Sequence, residues 1–208
     1  MKLGYKISND LVVCNCAKNC STTVMLQSLC YNEHKKIDEY NDLEFKHANE
    51  GNFGRLWPYS YKYQINCDNV KNYPNEKLIF IFRDPIKRFL SSYNNLWDRL
   101  FKTIDEFIEF VKNNIEIYKY NFDEHCRPQY TFINFDDIDI FIEQKDYEMF
   151  CNEQGIQYLK ANQNADKSYQ SKIELTDEHI LILKELYKED YEMIEKIKNS
   201  GKLYNGTL

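Results

Sequence analysis

The chain has 208 residues, 43% hydrophobic and 29% charged, enough apolar material for one well-covered core and a single domain. A net charge of −6 argues against a broad nucleic-acid surface, which draws on clustered Lys and Arg, but leaves room for a local basic pocket. Residues 1–10 are polar, and no apolar run is long enough for a signal peptide or a membrane span. The cysteines number seven, Cys14, Cys16, Cys20, Cys30, Cys67, Cys126 and Cys151, in no disulfide-framework spacing. Free thiols in a reducing cytoplasm are the simplest expectation.

In chain order, Leu11-Val12-Val13-Cys14-Asn15-Cys16 reads as a buried strand, and a helix follows from about Ser21 to Tyr31. Residues 33–77 form a loop-rich insertion with Gly51, Gly54 and several tyrosines; Trp57, Tyr59, Tyr61 and Tyr63 can either stack on sugar rings or pack the loop. Leu78-Ile79-Phe80-Ile81-Phe82 is apolar without alternation, as in a buried parallel strand. Asp84 and Pro85 then open a helix whose core stripe is Ile86, Phe89, Leu90, Tyr93, Leu96 and Leu100. Thr103-Ile104-Asp105-Glu106 is a capping box, starting a helix with Phe107, Ile108, Val111 and Ile115 on one face. Residues 118–136 read as loop with room for a short strand. A strand is expected from Ile138 to Ile142, and a helix from Asp146 to Gln154 that stops at Gly155. Residues 160–175 are loop-like. Thr176 caps one long C-terminal helix with Ile180, Leu183, Tyr187, Tyr191, Ile194 and Ile197 buried. Strands alternating with helices predict an α/β sheet with helices on both faces.

Two segments carry chemistry. Lys18-Asn19-Cys20-Ser21-Thr22-Thr23 puts one cation and several hydroxyls in the turn between strand and helix. A helix N-terminus there offers unpaired N–H groups and partial positive charge, which suits a phosphate or sulfate. The turn lacks the glycines of a Walker loop. Arg83 stands at the carboxyl end of the second strand, where open α/β sheets place ligands, and Arg88 and Ser91 follow on its helix. Arg83 and Ser91 can grip one anion together. Two such sites suggest one ligand with two separated anionic groups. The plain alternative for each is a capped helix with solvated Arg, Lys and Ser.

The layout resembles the sulfotransferases that use 3′-phosphoadenosine 5′-phosphosulfate (PAPS). Lys18, Ser21, Thr22 and Thr23 match their 5′-phosphosulfate loop, with Cys20 where glycine is usual. Arg83-Asp84-Pro85 through Arg88, Ser91 and Tyr93 is similar to their 3′-phosphate motif, R-D-P-x-x-R-x-x-S-x-Y. Asp123-Glu124-His125-Cys126-Arg127-Pro128-Gln129 resembles the D-x-H-W-x-P-Q segment of the carbohydrate sulfotransferases acting on chondroitin and dermatan and of their bacterial relatives, with Cys126 in place of Trp. Asn162 to Ser168, then Leu175, Leu186-Tyr187 and Asp190-Tyr191, follow the family's later pattern of an Asn/Ser-containing loop and a helix ending in Y-x-x-D-[YF].

The resemblance implies a single P-loop-like domain over residues 1–208, with a mainly parallel central sheet flanked by helices. It implies PAPS as sulfate donor, no metal, and an acceptor hydroxyl, here on a carbohydrate. Lys18, Asn19, Cys20, Ser21, Thr22 and Thr23 would hold the 5′ end, Arg83 and Ser91 the 3′-phosphate, and Lys167 and Ser168 would add cofactor contacts. Arg88 would buttress the site or pair with Asp84. Lys18 would also stabilise charge in the transition state.

The general base is left between His125, which has the motif context, His47, and a carboxylate such as Glu124. His34 and His179 read as solvated. Cys14, Cys16 and Cys20 have the look of a metal cluster, but no later Cys or His pair completes a tetrahedral set, so buried apolar thiols are expected. Two rival functions remain at this level: a P-loop kinase-like phosphotransferase, and a nucleotide- or glycan-binding module without catalysis.

Overall fold

The computed structural model describes residues 3–14, 16, 19, 21–34, 63–67, 74–98, 100–115, 123–158 and 173–206. The five strands are β1 (Leu3–Lys6), β2 (Leu11–Cys14), β3 (Gln64–Asn66), β4 (Lys77–Phe82) and β5 (Ile140–Glu143). Six α-helices are described: α1 (Ser21–Glu33), α2 (Pro85–Ser92), α3 (Ile104–Ile115), α4 (Tyr147–Glu153), α5 (Asp177–Leu186) and α6 (Lys188–Lys198). The fold class is α/β, as expected.

The sheet has the order β3-β1-β2-β4-β5 and is mixed, not mainly parallel. β2, β4 and β5 run parallel, with Val13 opposite Ile79 and Phe80 opposite Phe141. β1 pairs antiparallel with both β2 and β3. The physical reason is the connection. Only Ile7 to Asp10 separates β1 from β2, closed by Ile7 N–H to the Leu11 carbonyl at 3.0 Å. A turn that short returns the chain antiparallel, since a parallel neighbour needs a crossover. Gly4 is required inside β1, because a Cβ there would meet Cys67 Sγ at 2.5 Å and the Val13 carbonyl oxygen at 2.9 Å.

Alternation along the central strands feeds two cores. Val12, Cys14, Cys16, Leu78, Phe80 and Phe82 face one side, against Phe132 and Met193, Ile194 and Ile197 of α6. Leu11, Val13, Ile79 and Ile81 face the other, against Val24 of α1 and Tyr147, Phe150 and Cys151 of α4. Helices thus cover both faces. A third cluster joins Phe89 of α2, Phe107 and Val111 of α3, Leu183 of α5, Tyr187 and Cys126. Past β5 the chain returns to the sheet, where Leu203 bridges Phe141 in parallel and Tyr204 N–H donates to the Phe141 carbonyl at 2.8 Å.

Local expectations held at several helix starts. Asp84 accepts from Lys87 N–H at 2.8 Å, and Thr176 caps α5. At α3, Thr103 accepts from Glu106 N–H, but the Glu106 carboxylate reaches Lys102 N–H, one residue earlier than a capping box requires. Gly155 follows α4 with φ +64°, a conformation other residues adopt at a cost.

Two expectations about helices are corrected. The helix after Asp84 changes pitch at Ser92: Tyr93–Trp97 forms a π-helical turn in which Asp98 N–H bonds the Tyr93 carbonyl at 2.9 Å. The stripe loses register there, and Leu100 is 72% exposed. The long C-terminal helix is two helices, broken at Tyr187, whose buried hydroxyl donates to the Cys126 carbonyl at 2.8 Å. Of residues 118–136, read as loop with room for a short strand, the described part from Asp123 is loop with the short 3-10 turns Gln129–Phe132 and Phe135–Asp137. Much of the insertion at 33–77 lies outside the described residues. Its described part includes the edge strand β3.

Candidate active site

Parallel strands β2 and β4 lie side by side, so the turns leaving their carboxyl ends are neighbours at one edge of the sheet. After β2, Asn19 N–H closes back on the Cys16 carbonyl at 3.1 Å, and α1 begins at Ser21. Asn19 and Thr23 are buried, at 2% and 5% exposure. Lys18 and Cys20, the side chains of Ser21 and Thr22, and His47, Lys167 and Ser168 lie outside the described residues.

After β4, Arg83 stands two residues before α2 and Ser91 lies in the last turn of that helix; both are half-buried. Arg88, expected as a buttress or a partner of Asp84, is 1% exposed and turns inward. Its Nη1 donates to the Arg127 carbonyl at 2.8 Å and its Nη2 to the Glu124 carbonyl at 2.7 Å. It is a buttress, and its clamp falls on the 123–129 loop. Asp84 instead takes a hydrogen bond from Tyr191 of α6. Burial, then the neighbouring Asp84 charge and that bond, push the Tyr191 phenol up to about 12.

The 123–129 loop is secured at several points. Cys126 and Arg127 N–H both return to the Asp123 carbonyl, at 3.0 and 2.8 Å. Ser92 Oγ donates to the His125 carbonyl. The Arg127 guanidinium stacks over Phe132, 3.9 Å from the ring centroid. Cys126, where the resembling motif has Trp, is fully buried. At the head of the loop, Asp123 Oδ1 accepts from His125 N–H at 2.9 Å and lies 2.9 Å from the ring Nδ1. Burial acts to raise the Asp123 pKa, but the His125 hydrogen bond and charge outweigh it and leave it below the usual carboxylate value. An Nδ1 that donates to Asp123 leaves the lone pair on Nε2. His125 keeps 22% of its side chain exposed.

Gln129, at the end of the loop, joins the two turns that were expected from the sequence to bind anions. Its Oε1 accepts from Asn19 Nδ2 at 2.6 Å and from Arg83 N–H at 3.0 Å, and its Nε2 donates to the Arg83 carbonyl at 2.8 Å. Asn19 Nδ2 also donates to the Ile81 carbonyl at 3.0 Å. Behind them, the buried Asp190 carboxylate accepts from Gln129 N–H and Tyr130 N–H, both at 2.9 Å. Burial raises the Asp190 pKa to about 6, against the lowering pull of those two N–H groups and of Arg88. Neither Gln129 nor Asp190 stood out as a site residue in the sequence. Their only signal was membership of the resembling motifs.

His179, read as solvated, is tied down instead. Its Nδ1 accepts from Thr176 N–H, and its Nε2 lies 2.8 Å from Asp105 Oδ1, linking α5 to α3. His34 is exposed at the end of α1. Cys14 and Cys16 pack in the sheet core, and burial pushes the Cys16 thiol up to about 11. Among the described residues no group of three His, Cys, Asp or Glu side chains could hold a metal ion. No helix among them is long and apolar enough to cross a membrane.

The chain matches no known protein family, no curated protein and no solved structure.

Proposed function

We propose that the chain is a PAPS-dependent sulfotransferase acting on a hydroxyl, of a carbohydrate. The observation that carries the reading is the hydrogen-bonded junction of Asn19, Gln129 and Arg83, since it brings together the two turns that the sequence marks as anion sites. The residues present suit a nucleotide with two anionic ends. One end meets the turn around Asn19 and the α1 N-terminus, and the other meets the half-buried Arg83 and Ser91. The bound donor supplies the sulfuryl group. Lys18 stabilises the negative charge that develops as that group departs. His125 Nε2, oriented by Asp123 at Nδ1, takes the acceptor hydroxyl proton. His47 and a carboxylate such as Glu124 are the competing bases. A cytoplasmic setting fits the six described cysteines, none of which forms a disulfide.

The test has two parts. Calorimetric titration should show 3′-phosphoadenosine 5′-phosphate (PAP) binding at least about tenfold tighter than AMP, because the extra phosphate gains charge-assisted bonds. Arg83→Ala should abolish most of that preference. A radiolabelled transfer screen over glycans and small alcohols should then find an acceptor. Equal affinity for PAP and AMP, with no sulfate transfer, would sink the proposal.

A further inference from the structure

Gln129 is fully buried, and its amide spends its bonding capacity on three separate segments. Against Arg83 it makes a two-point match, accepting from the N–H at 3.0 Å and donating to the carbonyl at 2.8 Å. The side chain thereby continues the β4 ladder one residue past the strand. The same Oε1 takes the Asn19 amide at 2.6 Å, and Nε2 also lies 3.5 Å from Asp190 Oδ2. Asn19 belongs to the first anion turn and Arg83 opens the second. One side chain therefore sets the separation between them, with Asp190 of α6 holding it from behind.

We infer that Gln129 is a positioning residue that presets the span between the two anion-binding turns, and so selects nucleotides carrying phosphates at both the 5′ and 3′ positions over those carrying one. The inference rests on the nucleotide reading above. Its physical basis is preorganisation. A ligand that engages two turns at once gains more than either half alone only if the turns already stand at its own span. A ligand with one phosphate does not sense the span.

The full chain is titrated calorimetrically with PAP, AMP and adenosine 3′-monophosphate, as wild type, Gln129→Met and Gln129→Asn. Gln129→Met keeps the side-chain length and removes every amide bond. Gln129→Asn keeps the amide but draws it back by one methylene, so that it cannot span Asn19 and Arg83 together. In each variant that melts cooperatively, PAP affinity should fall about tenfold, while the two one-phosphate ligands each weaken less than about threefold. A parallel fall of all three affinities, or no fall, in a cooperatively melting variant overturns the spacer, leaving the sulfotransferase reading in place. If Gln129→Met does not fold, Gln129→Asn decides alone. A wild type that prefers neither PAP nor AMP removes the nucleotide reading itself, and the spacer with it.

Discussion

Asp123 Oδ1 engages His125 twice, at the backbone N–H and at the ring Nδ1, both at 2.9 Å. One carboxylate oxygen thus sets both the backbone turn and the ring orientation. Because the Ser92 hydroxyl holds the carbonyl of the same histidine, the helix that carries Ser91 also anchors the candidate base.

Asp123→Asn should therefore cut turnover by about a hundredfold and leave PAP affinity within about threefold, because an amide in its place no longer enforces the tautomer or stabilises the imidazolium. His125→Ala should cost at least as much. Steady-state kinetics beside calorimetry separates the two effects. A silent His125→Ala with a crippled His47→Ala would transfer the base to His47.

Lys18→Ala should keep measurable PAP affinity, since on the proposed reading Arg83 and Ser91 would still hold the 3′ end. Turnover should fall by about a hundredfold or more, the scale of one lost oxyanion-type donor. Wild-type turnover with a competent acceptor would remove the phosphosulfate-loop assignment.

Arg88→Met should destabilise the protein by about 3 kcal/mol, because it strips the donors from two loop carbonyls and uncovers the neighbouring Asp190 charge. Arg88→Lys should not restore the loss, since an ammonium cannot present the two parallel donors of a guanidinium fork. Urea denaturation measures both. A loss below about 1 kcal/mol for Arg88→Met would show that the carbonyls find other partners.

Asp190 has its pKa raised from 3.8 to about 6, so between those values the folded state binds more protons than the unfolded state. Stability contributed by this group should then fall as pH rises from about 4 to about 6, by at most about 3 kcal/mol. Asp190→Asn does not titrate. The stability difference between wild type and variant should thus move against wild type across that interval, read from urea midpoints at pH 4, 5, 6 and 7. A flat difference would mean that the two N–H donors and Arg88 hold the carboxylate ionised throughout.

What was legible in the sequence follows the range of the forces. Lys77–Phe82 was readable almost to the residue, because a strand buried on both faces needs an unbroken apolar run. Asp84 and Thr176 were readable as caps, since capping is settled within four residues. β1 was not, because four residues including Gly4 and Lys6 become a strand only through their neighbours β2 and β3. The break at Tyr187 falls where the side chain reaches Cys126, 61 residues away, a partner that no local pattern names. The candidate site divides in the same way. Its motif residues were visible, but the junction at Gln129 joins partners 46 and 110 residues distant, and no local pattern encodes it.

The return of the chain beside β5 bears on solubility. Ile140, Phe141 and Ile142 are buried, and an outer strand so apolar, with its N–H and C=O groups unmatched, would template pairing with another molecule. Phe141 N–H instead donates to the Lys202 carbonyl at 2.9 Å, and the Phe141 carbonyl accepts from Tyr204. The three residues Lys202, Leu203 and Tyr204 act as an edge guard. Too short to extend the sheet, they occupy the hydrogen-bonding groups through which aggregation would begin.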